Sequence, residues 1–425
     1  MLTGGVKFVP STPFSHSNLR YFTNNLILPT IGKPDFTFES YLALKGVDTS
    51  SWAVDPITGE KFPMYFKFDY NPNISALNEI AFLDANLTRH HFSQILDYRN
   101  PYAFYDSSFI HTAVLEGLIP GVTYHYQVEG SCFAYHFTVP QNKYPFTFGL
   151  IADVGVTSVS NRSMQAIGAM NPDTVIFSGD LAYADGTPEV WDVFGVLSEP
   201  VFANIPTIYN GGNHELGSFE NWLSYDARYP APRKGSGSTN PCYYAVKTGP
   251  ATVITLCSYA DFMPSSIQYK WLTNYLSTSI DRSATPWIIV QTHVPFYTSS
   301  QSHYAEGELM RRVIEPLLYD YGVDIFVNGH VHAYERTVPV YNLTADPCGT
   351  VHITIGDAGN YEGAYTSWYQ RNINNSTSLA SEGGFIAFRE GSFGVAKLEI
   401  LNSSTAYYSW NRFVTILGNV SRFHG

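Results

Sequence analysis

Charge is scarce in this 425-residue chain. Asp, Glu, Lys and Arg make up 14% of it, 36 acidic against 24 basic, for a formal net charge of −12. An acidic balance argues against nucleic acid as a main partner, because phosphate backbones are gripped by basic surface. Sparse charge beside 16% aromatic residues also excludes a disordered chain, which stays unfolded by being highly charged and poor in apolar groups. Cysteine is rare too: there are four, and no Cys-x-x-Cys pair suggests a zinc site. No apolar run approaches the roughly 18 residues of a membrane helix, so no membrane span is expected. The N-terminus lacks the apolar core of a secretory signal. Internal repeats and low-complexity segments are missing as well. The length suffices for a large core and points to two domains.

What the chain has in plenty is the Asn-x-Ser/Thr sequon, beginning at Asn73, Asn86, Asn161, Asn342, Asn374, Asn375, Asn402 and Asn419. That density points to a secreted glycoprotein with N-linked glycans, vacuole or lysosome being the alternative destinations. The chain then reads as a mature or truncated form without its signal peptide. Cys242 and Cys257 flank two strand-like runs, Tyr243–Lys247 and Thr252–Leu256, around the turn Thr248-Gly249-Pro250-Ala251. A hairpin on that turn sets the two cysteines across from one another, and a cross-strand disulfide and two buried thiols both remain open. No pairing argument exists for Cys132 and Cys348.

The chemistry gathers where apolar runs end. Val323–Val327 leads to Gly329-His330-Val331-His332, two imidazoles one residue apart. Phe148–Ala152 runs into Asp153-Val154-Gly155, and Thr174–Ser178 into Gly179-Asp180-Leu181-Ala182-Tyr183. Pro206–Tyr209 leads to Gly212-Asn213-His214-Glu215, and Trp287–Val290 to Thr292-His293. Open α/β sheets bind ligands at the carboxyl ends of their strands. Five strand ends carrying Asp, Tyr, Asn and His are too much coordination chemistry for one ion and suit two, about 3.5–4 Å apart, as in phosphatases and nucleases.

These five blocks, in this order, resemble the signature of the purple acid phosphatases, a branch of the calcineurin-like metallophosphoesterases that Tyr183 sets apart. The likeness covers residues 145 to 410. It implies an α/β fold: a two-sheet α/β sandwich metallophosphoesterase domain over residues 144–425. Leu118–Tyr126 resembles the end of a fibronectin type III-like domain, so the expected domain before it, residues 1–143, is a β-sandwich with an irregular lead-in. The runs Phe36–Phe38, Met64–Phe68, His111–Leu115 and Thr123–Val128 are its candidate strands, and Pro140–Lys143 the linker. Beyond the linker, helices are expected near 158–170, 189–199, 265–279 and 305–320. Val351–Ile355 and Val395–Ile400 are expected as strands of a second sheet.

The resemblance further implies that Asp153, Asp180, Tyr183 and His332 hold a first metal, and Asp180, Asn213, His293 and His330 a second, with Asp180 as the bridge. A phenolate is a hard anionic donor that suits Fe(III) at the first position; Zn, Fe or Mn fits the second. Water made acidic by the metals then attacks a phosphate monoester, with phytate in range as a substrate. His303 is the expected proton donor to the leaving alcohol, and His214, with Asn213, the expected phosphate contact. Two other readings keep the same residues: a phosphodiesterase or nucleotide pyrophosphatase, and a binding glycoprotein whose catalysis has lapsed. His90, His91, His111, His125, His136 and His352 read as structural or surface residues. Glu306, Glu308, Arg311 and Arg312 read as a solvated or capping helix turn, with the pocket entrance as the alternative place for Glu306. The oligomeric state stays open, a dimer included.

Overall fold

The structure is a computed structural model and describes residues 7–8, 52–54, 61–63, 80–82, 88–99, 104–128, 133–218, 220–368 and 385–413. Its first strands are β1 (Lys7–Phe8), β2 (Trp52–Val54), β3 (Lys61–Pro63), β4 (Ile80–Phe82), β5 (Thr88–Arg99), β6 (Phe104–Glu116), β7 (Thr123–Val128) and β8 (Ala134–Thr138). They pair antiparallel in the orders β1-β6-β5, β2-β3 and β4-β7-β8. Two of the expected runs, His111–Leu115 and Thr123–Val128, lie in β6 and β7. Phe36–Phe38, Met64–Phe68 and Cys132 lie outside the described residues.

Beyond residue 145 the runs Thr174–Ser178, Thr207–Asn210, Ala251–Thr255 and Ile325–Asn328 are buried along their whole length, the pattern of sheets covered on each side. β9 (Phe146–Ile151), β10 (Thr174–Ser178) and β11 (Thr207–Asn210) run parallel. Next in the chain come β12 (Tyr244–Thr248), β13 (Ala251–Thr255), β14 (Trp287–Gln291), β15 (Ile325–Asn328), β16 (Tyr334–Thr337), β17 (Val340–Tyr341), β18 (Thr344–Ala345) and β19 (Val351–Ile355). β20 (Ile386–Glu390), β21 (Gly394–Ile400) and β22 (Ala406–Arg412) complete the set. The two large sheets are ordered β11-β10-β9-β21-β22 and β12-β13-β14-β15-β19-β16-β20. Their inner faces meet in one apolar layer, in which Phe148, Leu150 and Ile176 from the first sheet meet Val253, Ile289 and Val327 from the second. The alternate residues point outward under helices: Val175 and Phe177 toward Trp191 and Phe194, Ile288 and Val290 toward Leu272 and Ile314. The architecture is therefore helix, sheet, sheet, helix, and it bears out the expected sandwich.

The helices are Ser158–Met170, Val190–Phe202, Ile267–Thr278 and Glu308–Asp320, with short ones at Asn213–Leu216 and Leu223–Arg228. The first is capped by Thr157, whose hydroxyl accepts from the N–H groups of Val159 and Ser160, and it ends at left-handed Asn171. No helix among the described residues is long and apolar enough to cross a membrane.

One expectation is corrected. Val351–Ile355 and Val395–Ile400 are not partners in one second sheet: the first lies parallel beside β15, the second antiparallel beside β9. Sheet membership is decided by pairing across long sequence gaps, which a local pattern does not encode. The Cys242–Cys257 hairpin is as expected. Thr248 pairs with Ala251 across the turn and the two cysteines form a disulfide, while Cys348 is free and exposed.

His352 is buried among Phe296, Tyr297 and Phe326, with no hydrogen-bond partner for Nδ1 among the described residues. Burial first, and the Arg311 charge second, push its pKa down to about 3 from an ordinary 6.5. The unfolded chain therefore takes up this proton first: the stability is complete above pH 6.5 and is lost as pH falls toward 3. At up to about 1.4 kcal/mol per pH unit, the cost by pH 4.5 is roughly 2–3 kcal/mol. A His352→Phe variant should gain about that much relative to wild type between pH 7.5 and pH 4.5 in denaturant titrations; an equal difference at both pH values would refute it.

Candidate metal centre

The ends of β9, β10, β11, β14 and β15 converge on one opening. Immediately beyond three of them the backbone turns left-handed at residues other than glycine: Asp153 (φ 57°) after β9, Asp180 (φ 53°) after β10 and His330 (φ 68°) after β15, with Tyr183 (φ 55°) and Asp185 (φ 48°) further along the β10 loop. Such residues are sparse in proteins and cluster where side chains are aimed for function. Glycines make the close packing possible. A Cβ on Gly212 would stand 2.1 Å from Asp180 Oδ1, and one on Gly329 2.3 Å from Asp153 Oδ2. The loops interlock through backbone bonds, Asp153 N–H donating to Gly179 O at 3.0 Å and Gly329 N–H to His293 O at 3.0 Å.

All seven expected ligand residues meet there, in two adjoining groups. In the first, the Tyr183 hydroxyl donates to Asp153 Oδ1 at 3.1 Å and lies 2.9 Å from His332 Nε2, which is itself 3.5 Å from Asp153 Oδ1. In the second, Asn213 Oδ1 is 3.1 Å from His293 Nε2 and 3.0 Å from His330 Nδ1, and Asp180 Oδ2 is 3.0 Å from His293 Nε2. Donor atoms of Asp180, His293 and His330 all lie within 4.8 Å of one another, a spacing that suits a cation. Asp153 and Asp180 are buried to 1% exposure or less. Burial pushes the Asp180 carboxyl up, but His293 and His214 beside it more than offset this and hold it below the usual range. His293 responds in kind: burial opposes its charge, yet Asp180 and Asp153 carry it up to about 10.

His214 and His303 also line the opening. His214 Nδ1 is 2.5 Å from Asp185 Oδ1, its ring centre lies 4.0 Å from that of Tyr183 with the planes tilted by 33°, and its Nε2 is 3.9 Å from both Asp180 and Glu362. Burial works against the charge on His214; the Asp185 bond and the Asp180 carboxylate raise its pKa to about 9. His303 lies farther out, its ring 4.8 Å from that of His330.

Several contributors escaped the sequence reading. Glu215, fully buried, accepts from three backbone N–H groups, Gly212 at 2.7 Å, Leu181 at 2.8 Å and Asp180 at 2.9 Å, and so ties the β10 loop to the β11 loop. Asn360 clamps the other side, its side-chain amide donating to Asp153 O at 3.1 Å. The Tyr259 hydroxyl donates to Asn213 Oδ1 at 3.2 Å. Glu215 was within reach of sequence reasoning, standing in the Gly-Asn-His-Glu block, as was Asp185, two residues after Tyr183. Asn360 and Tyr259 carry no local signal. Arg311 corrects the solvated-turn reading: it is 3% exposed, held between Glu308 and Glu315. Removing the Glu215 carboxylate as Glu215→Ala strands three buried donors at about 1–3 kcal/mol each, so a loss of at least about 3 kcal/mol is expected in denaturant titrations. Wild-type stability of that variant would contradict the assignment.

Comparison with known proteins agrees with this geometry. Residues 146–334 match the calcineurin-like phosphoesterase family, and residues 349–414 the iron/zinc purple acid phosphatase-like C-terminal family. Purple acid phosphatase 22 of Arabidopsis thaliana is 38% identical over 316 residues, 73% of this chain and 70% of the relative. The Fe(3+)-Zn(2+) purple acid phosphatase 12 of the same plant is 37% identical over 344 residues, 74% of this chain and 71% of the relative. A phosphoenolpyruvate phosphatase of Allium cepa is 37% identical over 341 residues, 73% and 68%. Among solved structures, the purple acid phosphatase PPD1 of yellow lupin superposes with TM-score 0.65 at 22% identity, covering 79% of this chain and 66% of that one, a likeness of fold. Relatives more than one-third identical over about 70% of their own length make this chain a member of the purple acid phosphatases, a family of metal-dependent phosphomonoester hydrolases.

Proposed function

We propose that the chain is a dinuclear-metal acid phosphatase in which Asp153, Asp180, Tyr183 and His332 hold Fe(III) and Asp180, Asn213, His293 and His330 hold the second ion. The observation that carries this is the convergence of buried oxygen and nitrogen donors on two adjoining points. The donor set fits such ions. Asp153 and Asp180 face no Lys or Arg among the described salt bridges, so their charge calls for cations. Burial, then Asp153 and Asp180, push the Tyr183 phenol well above its ordinary pKa, so only a strongly polarising cation makes it a ligand, and Fe(III) is one. For the second ion zinc is the first to test, since a relative bears the name Fe(3+)-Zn(2+) purple acid phosphatase.

When bound, the two ions supply Lewis acidity to the phosphoryl group and to the attacking water. The side chains do the rest. His214, kept cationic by Asp185, contacts the phosphoryl oxygens together with Asn213. His303 gives a proton to the departing alcohol. Phosphate monoesters are the substrate class, phytate among those to be tried. We extend the reading to secretion with N-linked glycans, for which Asn161 and Asn402 stand exposed, and to a fibronectin type III-like sandwich over residues 1–143 ahead of the catalytic domain.

Protein loaded with iron and zinc should hydrolyse p-nitrophenyl phosphate at mildly acidic pH faster than bis-p-nitrophenyl phosphate. Diester preference would move the reading to a phosphodiesterase, and no turnover to a binding protein. His303→Ala should slow alkyl phosphates by about 100-fold, the scale of general acid catalysis, and slow p-nitrophenyl phosphate much less, because nitrophenolate leaves without a proton. Equal losses on both esters would remove the donor role.

A further inference from the structure

Glu306 stands on the turn that enters the helix Glu308–Asp320, and its two carboxylate oxygens reach two different rings. Oε2 is 2.5 Å from His330 Nε2, and Oε1 is 3.0 Å from His303 Nδ1. Across the His330 ring, Nδ1 faces Asn213 Oδ1 at 3.0 Å, on the side assigned to the second ion. One carboxylate thus joins a ring turned toward the metal donors to the ring assigned to the leaving group.

Backbone contacts set where this carboxylate sits. Glu306 N–H donates to His303 O at 3.2 Å, and His303 N–H donates to Ser300 Oγ at 3.3 Å. Gly307 is pressed so closely onto the segment after His293 that a Cβ there would stand 2.0 Å from Pro295 O. A solvated loop acid with no role has no reason to bridge two rings from a turn packed this tightly.

A neutral imidazole carries one N–H, and the acceptor beside one nitrogen decides which nitrogen is left with its lone pair. A carboxylate at Nε2 keeps the hydrogen there and leaves His330 Nδ1 free to ligate. At His303 the same carboxylate takes the Nδ1 hydrogen, and Nε2 is left without a partner among the described residues. We propose that Glu306 is a positioning residue with two duties: it holds His330 as the tautomer that ligates through Nδ1, and it orients His303 to act through Nε2. The proposal rests on the two-metal reading above. The same three residues also lie close enough together to hold an ion themselves, which the metal count below decides.

Wild type, Glu306→Gln and Glu306→Ala are loaded with iron and zinc, and metal per chain is measured along a chelator series, beside rates on an alkyl phosphate and on p-nitrophenyl phosphate. In Glu306→Ala the second ion should leave at roughly 10–100-fold lower chelator, the usual cost of losing a partner of a ligating histidine. The iron and its visible absorption should stay. The alkyl-to-aryl rate ratio should fall about tenfold or more as the proton donor loses its orientation. Glu306→Gln, which keeps the shape and one acceptor oxygen, should fall between, and an unchanged thermal midpoint separates these effects from unfolding. A Glu306→Ala variant that keeps the wild-type hold on the second ion, or the wild-type rate ratio, overturns the proposal, and so does wild type with three ions per chain. Metal retention is read without turnover, so an inactive wild type would defeat the phosphatase reading while leaving this test in force.

Discussion

Asp153 and Asp180 are carboxylates almost wholly removed from water at the open edge of two sheets. An isolated charge in that position is costly, and it persists only when hydrogen bonds and counter-charges surround it. Much of the local structure supplies them. Asp153 accepts from the His330 N–H at 2.8 Å, and Asp180 from the His214 N–H at 2.9 Å. Left-handed turns at Asp153, Asp180 and His330 aim the side chains inward, and glycines at 212 and 329 let the loops approach. Strain of this kind survives because the sheets behind it over-determine the loops.

The sheets do this by being uninformative chemically and rigid mechanically. Their shared apolar layer holds the parallel strands β9, β10, β11, β14 and β15 in place, so five strand ends arrive at one edge together. The donors then sit in layers of access: His293 is fully buried, His330 and His332 are half-buried, and His303 lies nearer the solvent. Such a gradient suits a reaction in which the ions stay and the ester comes and goes.

A second pattern is the acceptor behind nearly every ring. His293 Nδ1 faces Ser178 O at 2.9 Å, His214 Nδ1 faces Asp185, and Glu306 serves both His330 and His303. Each acceptor assigns one nitrogen to the protein and leaves the other for chemistry, which is how a site built from loops acquires defined geometry. The acceptors are spread over different loops, so the site is held from several directions at once.

The sequence by itself determined the α/β nature of the fold beyond residue 145 and which seven residues would gather at the strand ends, because both are written locally. Continuous apolar runs announce buried strands, and each of the five blocks stands directly after its own strand. The Cys242–Cys257 hairpin is local too, with its turn visible between the two cysteines. Only the tertiary structure decided what crosses the chain: that β19 and β21 belong to different sheets, that Glu215 ties two loops 35 residues apart, and that Arg311 is buried between two acids. The same holds for Glu306, which meets His330 across 24 residues, and Asn360, which meets Asp153 across 207. A carboxylate or an amide has no periodicity and no preferred neighbour in sequence, so its partner exists only once the sheets have brought distant loops together.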